Sequence, residues 1–190
     1  MNTTSNESSF VINYEIQYHT KQDDGSQRFY GSLVLCLNGS VVGDPEIVVS
    51  LDSCRYWLED LICNRIYRDT KRYSSLSLHE LIHIFRSKSI FDLEEFDYDV
   101  GKAIIHVKNM PQADFCEGMD LYSLTYISHV GQNSLDNTIL LMIDDKPEFK
   151  RFIVQRGKND PEEYIIKIED IIAGTKNFLT SFDDTINKLD

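Results

Sequence analysis

The segment with the clearest capacity for chemistry is His79-Glu80-Leu81-Ile82-His83, which has the H-E-x-x-H spacing of zinc peptidases. Two histidines four residues apart lie on one face of a helix, where they can bind one zinc ion. A glutamate between them can deprotonate a zinc-bound water. The motif therefore allows a zinc-dependent peptidase with His79 and His83 as ligands and Glu80 as the base.

Three features of the neighbouring sequence favour a purely structural helix. Arg86 and Ser89 stand where the extended zinc motif has Gly and His. Ser77 and Glu80 form a capping box, which places His79 in the fraying first turn. An apolar stripe also runs between the two histidines, made of Leu78, Leu81, Ile82 and Phe85. This alternative is an amphipathic helix with surface histidines, and we expect no catalytic residue, no bound metal and no cofactor.

A second candidate site is the acidic segment from Asp92 to Asp99, whose eight residues hold five carboxylates and no cation. Aromatic side chains alternate with the acids, and such rings provide affinity in interfaces while charge steers association. The segment predicts a contact site for a basic protein, formed by Asp92, Glu94, Glu95, Phe96, Asp97, Tyr98 and Asp99. A solvated loop or a charge-protected edge strand is the alternative.

The overall charge restricts the class of partner. The formal net charge is −12 and the sequence pI about 4.8, so the surface repels nucleic-acid phosphates and anionic lipids. The same charge suits a basic protein partner, although it also serves solubility alone. No apolar run approaches the ~18 residues of a membrane span, and residues 1–9 lack a secretory signal. We therefore expect a cytoplasmic protein that binds neither nucleic acid nor membrane.

The elements that must position these residues begin with strands and continue with helices. Alternating apolar residues predict strands at 10–18, 28–37 and 41–42, and Asn38-Gly39 predicts a hairpin turn. Helical spacing then predicts a helix that is capped by Asp52 or Ser53 and extends to Ile66, and a second helix from 77 to 86. A basic connector joins the two helices.

The second half of the chain returns to strands and closes with a helix. Strands are predicted at 103–107, 121–129, 138–143, 149–155 and 164–168. The final helix has an apolar face of Ile171, Ile172, Phe178, Leu179, Phe182, Ile186 and Leu189. Gly174 should weaken this helix by roughly 1 kcal/mol.

This order predicts an α+β fold. After a flexible N-terminus at 1–9, residues 10–190 are expected to form a single α+β domain. In it, a largely antiparallel sheet accompanies two central helices, and a C-terminal amphipathic helix packs on the sheet.

Several short patterns resemble those of the immunity protein 42 family, among the bacterial polymorphic-toxin and contact-dependent growth inhibition immunity proteins. In the N-terminal part they are Phe10-x-Ile-x-Tyr-Glu-Ile16, Tyr30-Gly31, Asn38-Gly39, Gly43-Asp44 and Ser50-Leu51. The Phe149-x-Arg151 strand, the 164–168 strand and the last helix are similar to the family's C-terminal part, whereas residues 87–118 match nothing in it. No functional residue transfers, because toxin-contacting positions vary between members.

The resemblance implies a single α+β domain that binds and neutralises one toxin without catalysis or cofactor. The leading hypothesis is a cytoplasmic immunity protein for a basic toxin domain such as a nuclease. A zinc peptidase and an acidic adaptor domain remain as alternatives.

Overall fold

Two antiparallel sheets and the helices packed on them make up the computed structural model, which describes residues 8–87 and 120–189. The first sheet has the order β1-β2-β3, with β4 paired to β2; the strands are β1 (Phe10–Lys21), β2 (Gln27–Leu37), β3 (Ser40–Val42) and β4 (Val49–Ser50). The second sheet has the order β5-β6-β7, with β5 (Thr138–Asp144), β6 (Phe149–Arg156) and β7 (Glu162–Lys167). The α+β prediction is confirmed, with the strands divided between two sheets.

The first sheet contains the strands predicted at 10–18, 28–37 and 41–42, which pair in chain order as an antiparallel meander. In β2 the apolar side chains alternate, so that Phe29, Leu33, Leu35 and Leu37 enter the core. Asn38 and Gly39 have φ angles of 48° and 83° and form the predicted turn into β3.

Helix α1 (Leu51–Cys63) begins earlier and ends earlier than the sequence predicts. Its cap is Ser50, whose hydroxyl oxygen accepts the Ser53 N–H at 3.5 Å, so the prediction of Asp52 or Ser53 as cap is wrong. The Asp52 carboxylate instead accepts the Phe29 N–H at 2.7 Å, a contact from a distant strand that the local pattern cannot contain. After α1, a one-turn 3₁₀ helix (Arg65–Tyr67) replaces the predicted continuation to Ile66.

The predicted strand at 121–129 is wrong. Residues 120–125 are helical, and two 3₁₀ turns separated by a kink at Gln132 follow within Ser128–Leu135. Leu121 and Thr125 are both buried, at helical spacing, and the Thr125 hydroxyl donates to the Leu121 carbonyl oxygen at 2.6 Å. The aromatic and β-branched residues of this segment favour a strand, but packing on helix α2 (Leu78–Ser87) and the second sheet decides the outcome. The predicted strand at 103–107 lies outside the described residues.

Helix α3 (Ile168–Ile186) packs on β1, as predicted for the last helix. Ile171, Phe178 and Phe182 are buried, and the other predicted residues are half-buried, except Leu189, which follows the helix and is 50% exposed. Gly174 allows α3 to lie close to β1, because a Cβ at this position would lie 2.3 Å from the Phe10 carbonyl oxygen. None of the described helices is long and apolar enough to cross a membrane.

The second sheet separates two apolar clusters. Alternate residues of β5 face opposite sides: Leu140 and Met142 join the large cluster with the first sheet, α1 and α3, whereas Leu141 and Ile143 face α2. The Phe10 and Phe152 rings, 5.9 Å apart, link the two sheets. The second sheet therefore forms the middle layer, with α2 on its outer side.

Candidate functional site

The predicted capping box at the start of α2 is present. The backbone N–H and the hydroxyl of Ser77 both donate to the Glu80 carboxylate, at 2.8 and 2.7 Å, and the Glu80 N–H donates back to the Ser77 hydroxyl oxygen at 3.3 Å. These hydrogen bonds hold the pKa of Glu80 below its usual value. Glu80 is thus occupied with satisfying the orphan donors of the helix start.

The two histidines of the zinc motif are exposed on α2. His79 lies in the first turn and His83 in the next, and both side chains face solvent. Within residues 8–87 and 120–189, no group of three or more His, Cys, Asp or Glu side chains is placed to hold a metal ion. Arg86 connects this helix to β6 through Gln155 Oε1 at 2.9 Å. The described part of the chain therefore offers the peptidase hypothesis no third ligand.

The predicted acidic contact site lies outside the described residues. Its members, Asp92, Glu94, Glu95, Phe96, Asp97, Tyr98 and Asp99, fall in the interval between residues 87 and 120. It stays a prediction.

A different surface brings together residue types typical of protein interfaces. Contacts join Tyr56 and Trp57 of α1, Arg65 and Arg68 of the connector between α1 and α2, and His129. We include Tyr67 and Lys71, which are the exposed neighbours of these arginines along the connector. We call this surface the aromatic–arginine face. Because α1 buries Cys54, Leu58 and Leu61 on its inner side, Tyr56 is exposed, and Trp57 is half-buried at the margin of the large apolar cluster.

Trp57 is the centre of the face. Its ring lies edge-on to the His129 ring at 4.4 Å and to the Tyr56 ring at 5.1 Å. The Arg65 guanidinium lies over the same indole, 5.4 Å from its centroid, in cation–π geometry. These contacts on several sides fix the orientation of the indole.

The two arginines of the face are held by the backbone of residues 120–126. Arg65 donates to the Tyr126 carbonyl oxygen at 3.1 Å and to the Asp60 carboxylate at 2.6 Å. Arg68 donates to the Ser123 carbonyl oxygen at 2.5 Å. Each arginine therefore has one defined position, and the connector is tied to a segment remote in sequence.

A buried clasp fixes the other end of the connector to the second sheet. Asp144 of β5 accepts the Thr70 N–H at 2.7 Å and the Lys150 ammonium at 2.6 Å, and its own N–H donates to the Thr70 hydroxyl oxygen at 2.7 Å. Burial raises the pKa of Asp144, but the hydrogen bonds from Lys150 and Thr70 outweigh burial and keep the pKa below its usual value.

The electrostatics of the face are opposite in sign to those of the whole chain. Residues 65–72 contain four cations and one aspartate, a net charge of +3 in a chain of −12. Asp60 pairs with Arg65 and Asp120 with Arg72, which reduces the local net charge to +1, whereas among the described residues no carboxylate lies within 4 Å of the Arg68 or Lys71 side-chain nitrogens. Burial, together with the positive charge of Arg65, lowers the pKa of His129 to about 4, so this imidazole is neutral at pH 7.

Exposure distinguishes this face from other apolar residues at the surface. Tyr56 is 62% and Tyr67 70% exposed. The other large exposed apolar residues in the described part are mainly aliphatic: Tyr18, Val41, Ile47, Val48, Ile165 and Leu189. Trp, Tyr and Arg are the residues enriched at binding hot spots. The sequence analysis missed the face, although the Tyr56-Trp57 pair and the basic run after Arg65 were its signals.

Comparison with known proteins gives a family and a fold. The model of the immunity protein 42 family matches residues 5–186. No curated protein matches the sequence. Among solved structures, CdiI from Burkholderia dolosa AUO158 is similar with a TM-score of 0.55 and 12% identity, over 92% of this chain and 96% of that chain. At this identity the likeness is one of fold.

Proposed function

The chain belongs to the immunity protein 42 family, and we propose from this premise that it binds one cognate toxin domain and neutralises it. The observation behind the proposal is the extent of the family match, which covers residues 5–186 of 190. The proposed setting is the cytoplasm of a cell that also encodes the toxin, as in polymorphic-toxin and contact-dependent growth inhibition systems.

We further propose that neutralisation occurs by binding, without catalysis or cofactor. In the H-E-x-x-H motif, Glu80 is engaged with Ser77 in the helix cap, and both histidines are exposed. Hot-spot residue types meet instead on the aromatic–arginine face. These observations support a role as a binding protein.

The proposed toxin domain is a basic one such as a nuclease, since Lys and Arg side chains that contact phosphates supply affinity for nucleic acid. A chain of net charge −12 attracts such a domain. We propose that Asp92, Glu94, Glu95, Phe96, Asp97, Tyr98 and Asp99 contribute to this encounter, since they concentrate −5 of that charge within eight residues.

Growth protection tests the proposal. The toxin domain encoded next to this chain should arrest growth when expressed alone, and co-expression of the chain should restore growth. CdiI from Burkholderia dolosa AUO158, which shares the fold at 12% identity, is the matched control and should not protect. Arrest that persists in the presence of the chain, with no complex by gel filtration, would contradict the proposal.

The same assay separates binding from zinc peptidase activity. His83→Ala removes one motif histidine from an exposed position, so it should protect as well as the original chain and keep its melting temperature. Elemental analysis should find no stoichiometric zinc in the purified protein. One zinc per chain, lost together with protection in His83→Ala, would favour the peptidase.

A further inference from the structure

We propose that the aromatic–arginine face anchors the toxin, and that it receives a patch of the toxin that bears carboxylates. The inference rests on the proposed immunity function and adds to it a surface and the chemistry of the matching partner surface.

The exposed rings of the face are suited to act as anchors. An aromatic side chain can bury about 150–250 Å², and Tyr56 and Tyr67 still expose more than half of their surface. In the described residues neither side chain makes a hydrogen bond or ion pair, and the Tyr56 ring contacts the Trp57 ring edge-on. A partner that covers them would gain apolar burial without disrupting an internal contact.

The support beneath the rings is preorganised. Trp57 is held between His129 and the Arg65 guanidinium, and Arg65 is itself fixed by Asp60 and the Tyr126 carbonyl oxygen. Side chains that are already ordered lose little conformational entropy on binding, which increases affinity.

Two cations without a carboxylate partner in the described part of the chain indicate the chemistry of the partner surface. Arg68 is held by the Ser123 carbonyl oxygen, and neither it nor Lys71 has a carboxylate partner among residues 8–87 and 120–189. Covering Arg68 with an apolar or basic surface would leave a desolvated charge uncompensated. A carboxylate would compensate it through a charge-assisted hydrogen bond.

A basic toxin and an acidic contact patch are compatible, because they act at different distances. The net charge of −12 attracts the toxin over separations up to about the Debye length, which is about 8 Å at physiological ionic strength. Arg68 and Lys71, the cations of residues 65–72 without an ion pair among the described residues, act at contact and select the orientation in which a carboxylate patch meets them.

Binding kinetics with the toxin domain encoded by the neighbouring gene test this inference. The truncation variants are Tyr56→Ala and Tyr67→Ala, with Tyr18→Ala, 50% exposed on β1, as the matched ring control. The charge variant is Lys71→Glu, at an exposed side chain that makes no ion pair within residues 8–87 and 120–189, with Lys176→Glu on α3 as the control of equal charge change. Thermal melts of all variants check folding.

We expect the dissociation rate to rise at least about tenfold for Tyr67→Ala or Tyr56→Ala, and also for Lys71→Glu. The two controls should stay within about twofold. The sign of the Lys71→Glu effect is decisive, because weaker binding supports a carboxylate patch and tighter binding overturns it. Tight binding by the original chain with unchanged dissociation of all three variants overturns this inference alone. No binding by the original chain overturns the proposed function together with it.

Discussion

His129 shows how one residue takes its charge state from its surroundings. Its ring packs against Trp57 and lies near Arg65, and burial and the neighbouring positive charge lower its pKa to about 4. In the unfolded chain the usual value is about 6.5. Between these values the unfolded state binds a proton that the folded state does not bind.

The free energy of unfolding should therefore fall as the pH decreases from about 6.5 towards 4, whereas the His129 contribution is complete above pH 6.5. The carboxylates with lowered pKa values, such as Asp60 and Asp183, lose their contribution mainly at lower pH. Urea unfolding between pH 4.5 and 7.5 measures the slope. His129→Phe should reduce the slope of the free energy of unfolding against pH, whereas His79→Phe, at an exposed position, should leave this slope unchanged. An equal slope in His129→Phe and the original chain would refute this assignment.

At the scale of elements, the sequence predicted the parts of the fold that depend on local chemistry. Asn38-Gly39 permits a left-handed turn, and Ser77 with Glu80 caps α2, so both features follow from neighbouring residues. The cap of α1 was mispredicted because Asp52 serves a distant strand. The segment 121–129 was mispredicted because packing overrides its preference for strand. The aromatic–arginine face depends on Trp57 meeting His129, residues too far apart in sequence for any periodicity to connect.

The contact between α3 and β1 gives a stability prediction that opposes helix propensity. Gly174→Ala should gain up to about 1 kcal/mol from propensity, yet its Cβ would lie 2.3 Å from the Phe10 carbonyl oxygen. We expect a net destabilisation of about 1–3 kcal/mol, because neither backbone can give way locally. Urea unfolding measures it, and Thr180→Ala at an exposed position of α3 is the control. A more stable Gly174→Ala variant would show that the helix moves away without cost.

The clasp formed by Thr70, Asp144 and Lys150 predicts a larger loss of folding stability than Gly174→Ala. Asp144→Ala removes the partner of Lys150, whose side chain is only 3% exposed, and leaves that ammonium buried and unpaired. Breaking such a buried pair costs about 3–5 kcal/mol. Glu148→Ala, in the exposed β5–β6 turn, should change the free energy of unfolding by less than about 0.5 kcal/mol. Similar stability of the two variants would mean that Lys150 finds another acceptor.

At the scale of the whole molecule, the net charge of −12 should act mainly on the association rate. Raising the ionic strength from low to physiological shortens the Debye length from about 30 to about 8 Å, so association with a basic toxin should slow markedly. Asp97→Lys with Asp99→Lys should slow association further and flatten its salt dependence. Stopped-flow mixing or biolayer interferometry with the co-encoded toxin domain measures both effects.

The matched control for this charge reversal is Asp23→Lys with Glu46→Lys, which changes the net charge equally at two exposed loops. If both double variants slow association to the same extent, only the total charge matters. In that case the segment from Asp92 to Asp99 has no local role in the encounter.

The clasp between Thr70, Asp144 and Lys150 also bears on how such a protein acquires a new partner. It holds the connector through backbone groups and buried side chains, whereas Tyr56, Tyr67 and Lys71 take no part in it. These three positions can therefore change their side chains with little loss of stability. A lineage that inherits this frame can follow a diverging toxin by exchanging a few surface residues while the architecture beneath them stays the same.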